Sequence, residues 1–278
     1  MVRNYRHVLA AGASALAIGL AAPGVAQTTP GVESQLTQSD IQEVLTISNV
    51  GEDITFGVND TGGTTATADV NSTPTGEISQ SASATGLAAP LGDADIQIDN
   101  NGSVTVLANA EATNTGGAAT ANAYVDTGLY QYGYGNVTAS LDINNNGNLA
   151  VSANAAASAT GYADAYASVE YGVYQSADSN GPASATFTNS AGSVLSVTAN
   201  AAATGSSASA EASVTEAGIY QQANGDTADV TVVNDGTIEI SAVASAVGSA
   251  AQADASASVS DSGIYQYVDG DTAASATI

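Results

Sequence analysis

The feature that most constrains this chain is a tandem repeat of about 45 residues. Four tetrapeptides, each a Gly, an apolar residue, a Tyr and a Gln, have their glycines 44, 46 and 45 residues apart. A fixed period between about 20 and 50 residues is typical of solenoids and repeat arrays. Because a catalytic motif normally occurs once, four copies indicate architecture first. The tetrapeptides contain Gly128, Tyr130 and Gln131, then Gly172, Tyr174 and Gln175, then Gly218, Tyr220 and Gln221, and finally Gly263, Tyr265 and Gln266.

A second series of glycines recurs with the same period as the tetrapeptides. These glycines are 45, 45 and 44 residues apart and follow short polar sequences such as "NNG" and "NDG". Asn, Asp and Gly tolerate a positive φ, so we expect turns between strands here. Two earlier stretches are interpreted as degenerate copies: "NVGEDI" (49–54) of the turn and "TGLAAP" (85–90) of the tetrapeptide. The glycines of this series are Gly102, Gly147, Gly192 and Gly236.

Between the glycines the chain alternates apolar and polar residues. After Gly147, for example, Leu149, Val151 and Ala153 are separated by single residues. Period two over this length indicates strands with one apolar face. Alanine is also the best helix former. A helix is nevertheless disfavoured, because Ser, Thr, Asn, Asp and Gly fill the alternate positions and no stripe at i, i+3 and i+4 emerges.

The repeat unit divides into two halves of similar pattern, as residues 228–240 and 253–266 illustrate. Each half is an alternating strand, a polar turn, a glycine and a second alternating strand. We therefore expect an all-β fold, a parallel β-solenoid (β-helix) with about two coils of roughly 22 residues per repeat, stacked about 4.8 Å apart. A single coil of the full length would enclose an interior too wide for alanine side chains to fill at native density.

Alternation also assigns directions to the tetrapeptide side chains. If Ile219 faces inward, Gln221 lies inside or at the rim, where the amides of stacked coils can form a ladder. Tyr220 then faces outward, and the four tyrosines form an exposed row with one ring on every second coil. The rings either pack on neighbouring outward residues or form an adhesive aromatic stripe.

The N-terminus has the pattern of a signal peptide at residues 1–26. Arg3, Arg6 and His7 precede an Ala/Leu-rich stretch, and "GVA" supplies the small residues of a cleavage site before Gln27. A membrane anchor is the other interpretation. It is disfavoured because Gly and Ser residues and Pro23 interrupt a short apolar stretch. No later segment is apolar enough to span a bilayer.

The chain after the leader contains no Lys, Arg, His or Cys, so its 27 acidic residues give a formal charge of −27. Nucleic acid is excluded as a partner, because binding its phosphates requires cationic side chains. Ser-His-Asp and Cys-His catalysis and zinc sites of the His/Cys kind are excluded as well. Without Cys, no disulfide stabilises the fold.

The repeat region resembles known secreted β-proteins. The sequence "GIYQQANGDTADVTVVNDGTIEI" (218–240) resembles repeats in the β-helical passenger regions of bacterial autotransporter adhesins. This resemblance covers most of residues 86–278 and implies a right-handed β-helix at a bacterial surface. In that family an outer-membrane barrel follows the passenger, so we expect residues 86–278 to be truncated at the C-terminus. One copy, "YQYGYGNVTA" (130–139), is similar to the core repeat of curlin, an amyloid subunit. Residues 27–85 are expected to be an irregular or capping segment with one degenerate repeat.

Carboxylates are the main ionisable groups available for metal binding or chemistry. Calcium is the one cofactor considered, because loops after the tetrapeptides contain Asp226, Asp229, Asp269 and Asp271, which could ligate it. Solvated turn residues are the simpler interpretation. Paired carboxylates also cleave glycosidic bonds. Since the acids recur with the repeat and no pair is unique, we expect no enzyme.

The sequence therefore predicts an exported structural or adhesive protein at the extracellular or outer-membrane surface of a bacterium. It would act in cell adhesion or biofilm formation, through a host or abiotic surface, glycans or self-association. A curlin-like fibre subunit is the second hypothesis, and a carbohydrate-active enzyme is the third.

Overall fold

The computed structural model describes residues 25–26, 36–39, 43–49, 53–70, 78–84, 92–250 and 252–278. Residues 1–24, most of the expected signal peptide, lie outside this range. The described residues form strands and no helix, which confirms the all-β class. The strands are β1 (Val25–Ala26), β2 (Leu36–Ser39), β3 (Glu43–Asn49), β4 (Asp53–Gly62), β5 (Thr65–Val70), β6 (Ile78–Ala84), β7 (Asp93–Asn100), β8 (Ser103–Asn114), β9 (Ala119–Gly135), β10 (Thr138–Asn145), β11 (Asn148–Ala159), β12 (Tyr162–Ser179), β13 (Pro182–Asn189), β14 (Val194–Gly205), β15 (Ser207–Asn234), β16 (Thr237–Gly248), β17 (Ala253–Val259) and β18 (Ser262–Thr277).

The strands form two sheets in which the described pairs are parallel. One sheet has 5 strands in the order β16-β14-β11-β8-β4. The other has 13 strands, with a main path β1-β3-β7-β10-β13-β15-β12-β9-β6-β2. Strand β15 joins the two halves of this path, because its first part pairs with β12 and its last part with β13. The larger sheet therefore curls back on itself.

Neighbouring strands are one full repeat apart. Leu141 of β10 lies beside Ile96 of β7 and Ala185 of β13, at offsets of 45 and 44 residues. The expected division into two coils of roughly 22 residues is therefore wrong. Each repeat, such as β10, β11 and β12, contributes one layer of three strands. Period-two alternation is the same in both halves of the repeat, so it could not distinguish strand pairing at an offset of half a repeat from pairing at an offset of a whole repeat.

The interior stays thin because each layer folds into two narrow limbs. In the first limb, alanines of β8, such as Ala110, pack in one core cluster with alanines of β9, such as Ala121. In the second limb, the end of β9 faces β7 and β10, and a Cβ added at Gly133 would lie 2.8 Å from Leu141 Cδ2. Opposing strands are close in both limbs, so methyl groups fill the space between them at native density.

The apolar alternation is confirmed where the side chains are described. In β11 the residues Leu149, Val151, Ala153, Ala155 and Ala157 are buried, and their neighbours in sequence are more exposed. The larger side chains follow the turn at Gly147, and the alanines extend from there along the strand. The alternating pattern therefore identifies the core face of this sheet.

The strands before residue 86 continue the same ladders. Asn49 pairs with Asn100 and Ile54 with Val104, so the strands on either side of "NVGEDI" lie beside the strands that flank the turn at Gly102. Residues 50–52 lie outside the described residues, and the interpretation of this stretch as an earlier copy of the turn stays a prediction. The stretch "TGLAAP" (85–90) lies outside the described residues, and the tetrapeptide register is occupied instead by β6. There Ile78 pairs with Leu129 and Gln80 with Gln131. The domain boundary after residue 85 stays a prediction.

Two of the four glycines of the turn series are required by close backbone approach. Among the four, only Gly192 has a positive φ, of 83°. A Cβ on Gly147 would overlap the carbonyl oxygen of Gly102 in the layer before it, and one on Gly236 would overlap the carbonyl oxygen of Ser193. The expected positive φ is therefore found at one of the four turns.

Candidate functional site

The glutamines of the tetrapeptides form a continuous hydrogen-bonded column, as expected. We call Gln131, Gln175, Gln221 and Gln266 the glutamine column. The Nε2 of Gln175, Gln221 and Gln266 each donates to the Oε1 of the preceding glutamine, at 2.8, 2.9 and 2.9 Å. Each Nε2 also donates across the limb to a backbone carbonyl, such as that of Thr186 at 3.1 Å. The first three side chains are fully buried. The column therefore ties successive layers together and ties each tetrapeptide strand to the strand that faces it across the limb.

A second amide column was missed in the sequence. Asn100, Asn145, Asn189 and Asn234, the asparagine column, lie at the turns after the first strand of each layer. The Nδ2 of Asn100, Asn145 and Asn189 donates to the Oδ1 of the next asparagine at 2.7, 2.8 and 2.8 Å. The signal was present, since each of these residues precedes a turn glycine by two or three positions.

The tetrapeptide tyrosines stack on one another, one ring per layer. The centroids of Tyr130 and Tyr174, of Tyr174 and Tyr220, and of Tyr220 and Tyr265 are 5.1, 4.8 and 5.2 Å apart. Their planes differ by only 4 to 12°. The predicted spacing of one ring on every second coil is wrong, because the layer is the whole repeat. The predicted packing of the rings is found, and an adhesive role stays a prediction. This tyrosine column is half-buried apart from Tyr265, which is 42% exposed.

The tetrapeptide glycines explain why the corner before each tyrosine can form. A Cβ on Gly172 would overlap Cγ2 of Val197, a core residue of the smaller sheet. Gly128 and Gly218 meet Val151 and Ile240 in the same way. Glycine is therefore needed because the two sheets approach each other here, and the sequence pattern alone did not show this.

The outward face around the tyrosine column contains most of the aromatic rings. Besides the column, Tyr132, Tyr134 and Tyr267 lie on outward positions of the same strands. Tyr171 packs edge-on against Tyr174 and Tyr220, with centroids 5.3 and 5.6 Å away. Eight of the 12 tyrosines thus lie on what we call the tyrosine face.

A column of carboxylates borders the tyrosine face. Asp126, Glu170, Glu216 and Asp261 each precede a tetrapeptide glycine by two residues. The strand register places them in successive layers, since the flanking pairs are Tyr171 with Thr127 and with Ala217, and Ala217 with Ser262. Burial raises the pKa of Glu170, and Asp126 and Glu216 raise it further. This acidic column was also missed in the sequence.

Two tyrosines of the tyrosine face are much harder to ionise than free tyrosine. Burial, followed by Glu216 and Glu170, raises the pKa of Tyr171 to about 12. Burial and the neighbouring Tyr174 and Tyr132 raise the pKa of Tyr130 to about 12. The phenols therefore stay protonated donors at neutral pH.

The four aspartates considered for calcium do not form one cluster. Asp229 pairs with Ser275 in the neighbouring layer, and Asp269 pairs with Asn224. Asp226 and Asp271 follow the paired residues Gly225 and Gly270, and all four side chains are exposed. Over the described residues, no group of three or more His, Cys, Asp or Glu side chains is arranged to hold a metal ion. The calcium hypothesis stays a prediction.

Comparisons with known proteins assign no family. The chain matches no protein-family model, no curated protein and no solved structure. Within the described part of the chain no helix is long and apolar enough to cross a membrane. Any function must therefore be argued from the ladders and the outward faces.

Proposed function

We propose that this chain is a parallel β-solenoid that forms the stalk or adhesive body of an exported bacterial surface protein. The observation that carries the proposal is the register. Strand neighbours from residue 93 onward are 43 to 46 residues apart, so each repeat is stacked on the one before it. Stacking of identical layers produces a rod whose length grows with repeat number.

Three sets of contacts run along this rod. Backbone pairing, the two amide columns and the tyrosine column all join neighbouring layers. A chain without disulfides gains stiffness from such ladders, since the buried amides of both columns bond to the amides of neighbouring layers. A stiff rod that exposes Ser, Thr, Tyr and carboxylate groups suits a role in projecting from a surface.

The solenoid is tested by deleting whole and half repeats. Removal of residues 138–181, one complete layer of 44 residues, should leave the remaining columns in register. Removal of 22 residues, 160–181, would bring Asn and Gln positions out of step and expose unpaired amides. Circular dichroism and urea unfolding should show a folded protein for the first deletion and a severely destabilised one for the second. Equal stability of the two would contradict the stacked-layer proposal.

The surface role is tested in the native bacterium. The prediction is that antibody against residues 93–278 labels intact cells and that deletion of the gene reduces attachment to abiotic surfaces or biofilm mass. Complementation with the whole-layer deletion should restore attachment in part, since that protein still forms a rod. Labelling of permeabilised cells alone would refute export to the surface.

The second candidate is a self-assembling fibre subunit of the curlin kind. Stacked Asn, Gln and Tyr side chains are features of cross-β fibres, and this chain has all three. A charge of −27 without any basic residue opposes self-association at neutral pH. Sedimentation and electron microscopy of the purified chain separate the two candidates, because the fibre subunit should form long filaments at micromolar concentration and the stalk should stay monomeric.

A further inference from the structure

The tyrosine face is the largest concentration of aromatic side chains on the outside of the molecule. It combines the tyrosine column with Tyr171, Tyr132, Tyr134 and Tyr267. Tyr265 and Tyr267 are 42% and 44% exposed. Clustered outward aromatic residues mark interaction surfaces more often than scattered ones do.

Ring stacking restricts what this face can bind. Both faces of Tyr174 and of Tyr220 are covered by neighbouring rings at 4.8 to 5.2 Å. A pyranose ring that packs on an aromatic residue needs a free ring face, so the column is a poor glycan platform. Its accessible parts are the ring edges and the phenol groups, which favour a partner with hydrogen-bonding groups over an apolar one.

The acidic column supplies the charge beside these phenols. Glu216 is exposed and Glu170 is half-buried, and both act on the pKa of Tyr171. Tyr171 in turn contacts Tyr174 and Tyr220, so it connects the acidic column to the tyrosine column. No Lys, Arg or His follows residue 7, so no basic side chain of the repeat region neutralises these carboxylates.

We propose that the acidic column and the adjoining tyrosine face form a docking surface for an arginine-rich, basic polypeptide. The guanidinium fork pairs with two oxygens of a carboxylate at once, whereas an ammonium group acts as a compact point charge. Carboxylates repeated once per layer would engage successive arginines of one extended segment. The proposal names the class of partner that the adhesive role would involve. It rests on the proposed function only for the place, a bacterial surface, where the partner is met.

A second copy of this chain does not fit this surface. Self-association would bring two acidic columns together without a single basic residue of the repeat region to separate them. Like charges facing each other disfavour such contacts. The required partner charge must come from another protein.

The test measures binding of nona-arginine and nona-lysine peptides to the purified full chain at physiological ionic strength. The chain has no Trp, and eight of its 12 tyrosines lie on the proposed surface, so tyrosine fluorescence reports mainly on that surface. Calorimetry gives the affinity. The expected result is that nona-arginine binds several-fold more tightly than nona-lysine. The double variant Glu170→Gln/Glu216→Gln should lose about tenfold in affinity for nona-arginine.

Two further variants separate the surface from general attraction by net charge. Glu111→Gln/Glu239→Gln makes the same charge change at exposed positions of the smaller sheet and should leave the affinity within about twofold of the parent. Tyr171→Thr introduces the residue found at the equivalent position of the preceding layer, Thr127, and should weaken nona-arginine binding by several-fold. Circular dichroism checks that each variant is folded.

Three results would overturn the proposal. They are equal losses in the two double variants, equal affinity for the two peptides, and no binding at physiological salt. Each of these leaves the whole-layer deletion experiment unaffected, so failure of this docking surface and failure of the solenoid are distinguishable.

Discussion

The loss of stability caused by replacing a glutamine of the glutamine column depends on the layer in which that glutamine lies. Gln175 lies in the middle of the column, where it donates to Gln131 and to the carbonyl of Thr186 and accepts from Gln221. Gln266 lies in the last described layer, is half-exposed, and donates to Gln221 and to the carbonyl of Thr277. The same change to alanine therefore removes a buried three-way junction in one case and a solvated end in the other.

The magnitudes follow from these contacts. In Gln175→Ala, the oxygen of Gln131 and the carbonyl of Thr186 lose a buried donor, and a cavity replaces the side chain. Each lost buried partner costs about 1–3 kcal/mol, and the total with the cavity is about 3–5 kcal/mol. In Gln266→Ala, water replaces most of the lost hydrogen bonds, so the free energy of unfolding falls by only about 1 kcal/mol.

Urea unfolding followed by circular dichroism measures both variants at pH 7, with unfolding midpoints compared at unchanged slope. Gln175→Leu serves as a control for volume, because it fills most of the cavity and still leaves the amide partners unsatisfied, so it should cost about 2–3 kcal/mol. If Gln175→Leu were as stable as the parent, or if the two alanine variants cost the same, the hydrogen-bonded column would have no stabilising role.

Three further predictions concern a glycine and two kinds of titrating group. Gly218→Ala should lower the free energy of unfolding by about 1–3 kcal/mol, because the new Cβ overlaps Ile240. In a double-mutant cycle, Ile240→Ala should relieve this overlap and give a favourable coupling energy of at least about 0.5 kcal/mol. Strict additivity of the two changes would argue against the overlap. The raised pKa values of Asp142, mainly from burial and then from Asp95, and of Glu170 mean that the native state binds protons more tightly than the unfolded state. The free energy of unfolding should therefore rise as the pH falls from 7 towards these pKa values, and the rise should be smaller in Glu170→Gln. A free energy of unfolding that falls as the pH is lowered from 7 would contradict the raised pKa values. An ultraviolet absorbance titration should show Tyr130 ionising at about pH 12, with stability lost as the pH rises from 10 to that value, while ionisation of every tyrosine at pH 10 would contradict its burial.

The repeat, the strands and the inward direction of the glutamines were predictable from the sequence. Alternation assigns Leu149, Val151 and Ala153 to one face whatever the partner strand is, because successive side chains of a strand point to opposite faces. The same alternation placed Gln221 inward and Tyr220 outward, and both directions are found in the structure. These features depend on local geometry alone.

The identity of the neighbouring strand was decided only by the tertiary structure. Both halves of the repeat have the same alternation and the same turn pattern, so sequence periodicity permits an offset of either half a repeat or a whole one. Side-chain amides distinguish them, because Gln175 finds an identical partner in Gln131 only when whole repeats are stacked. The folding of each layer into two limbs then allows alanine to fill the interior of a 45-residue repeat. This packing depends on how distant strands approach each other, which no local pattern contains.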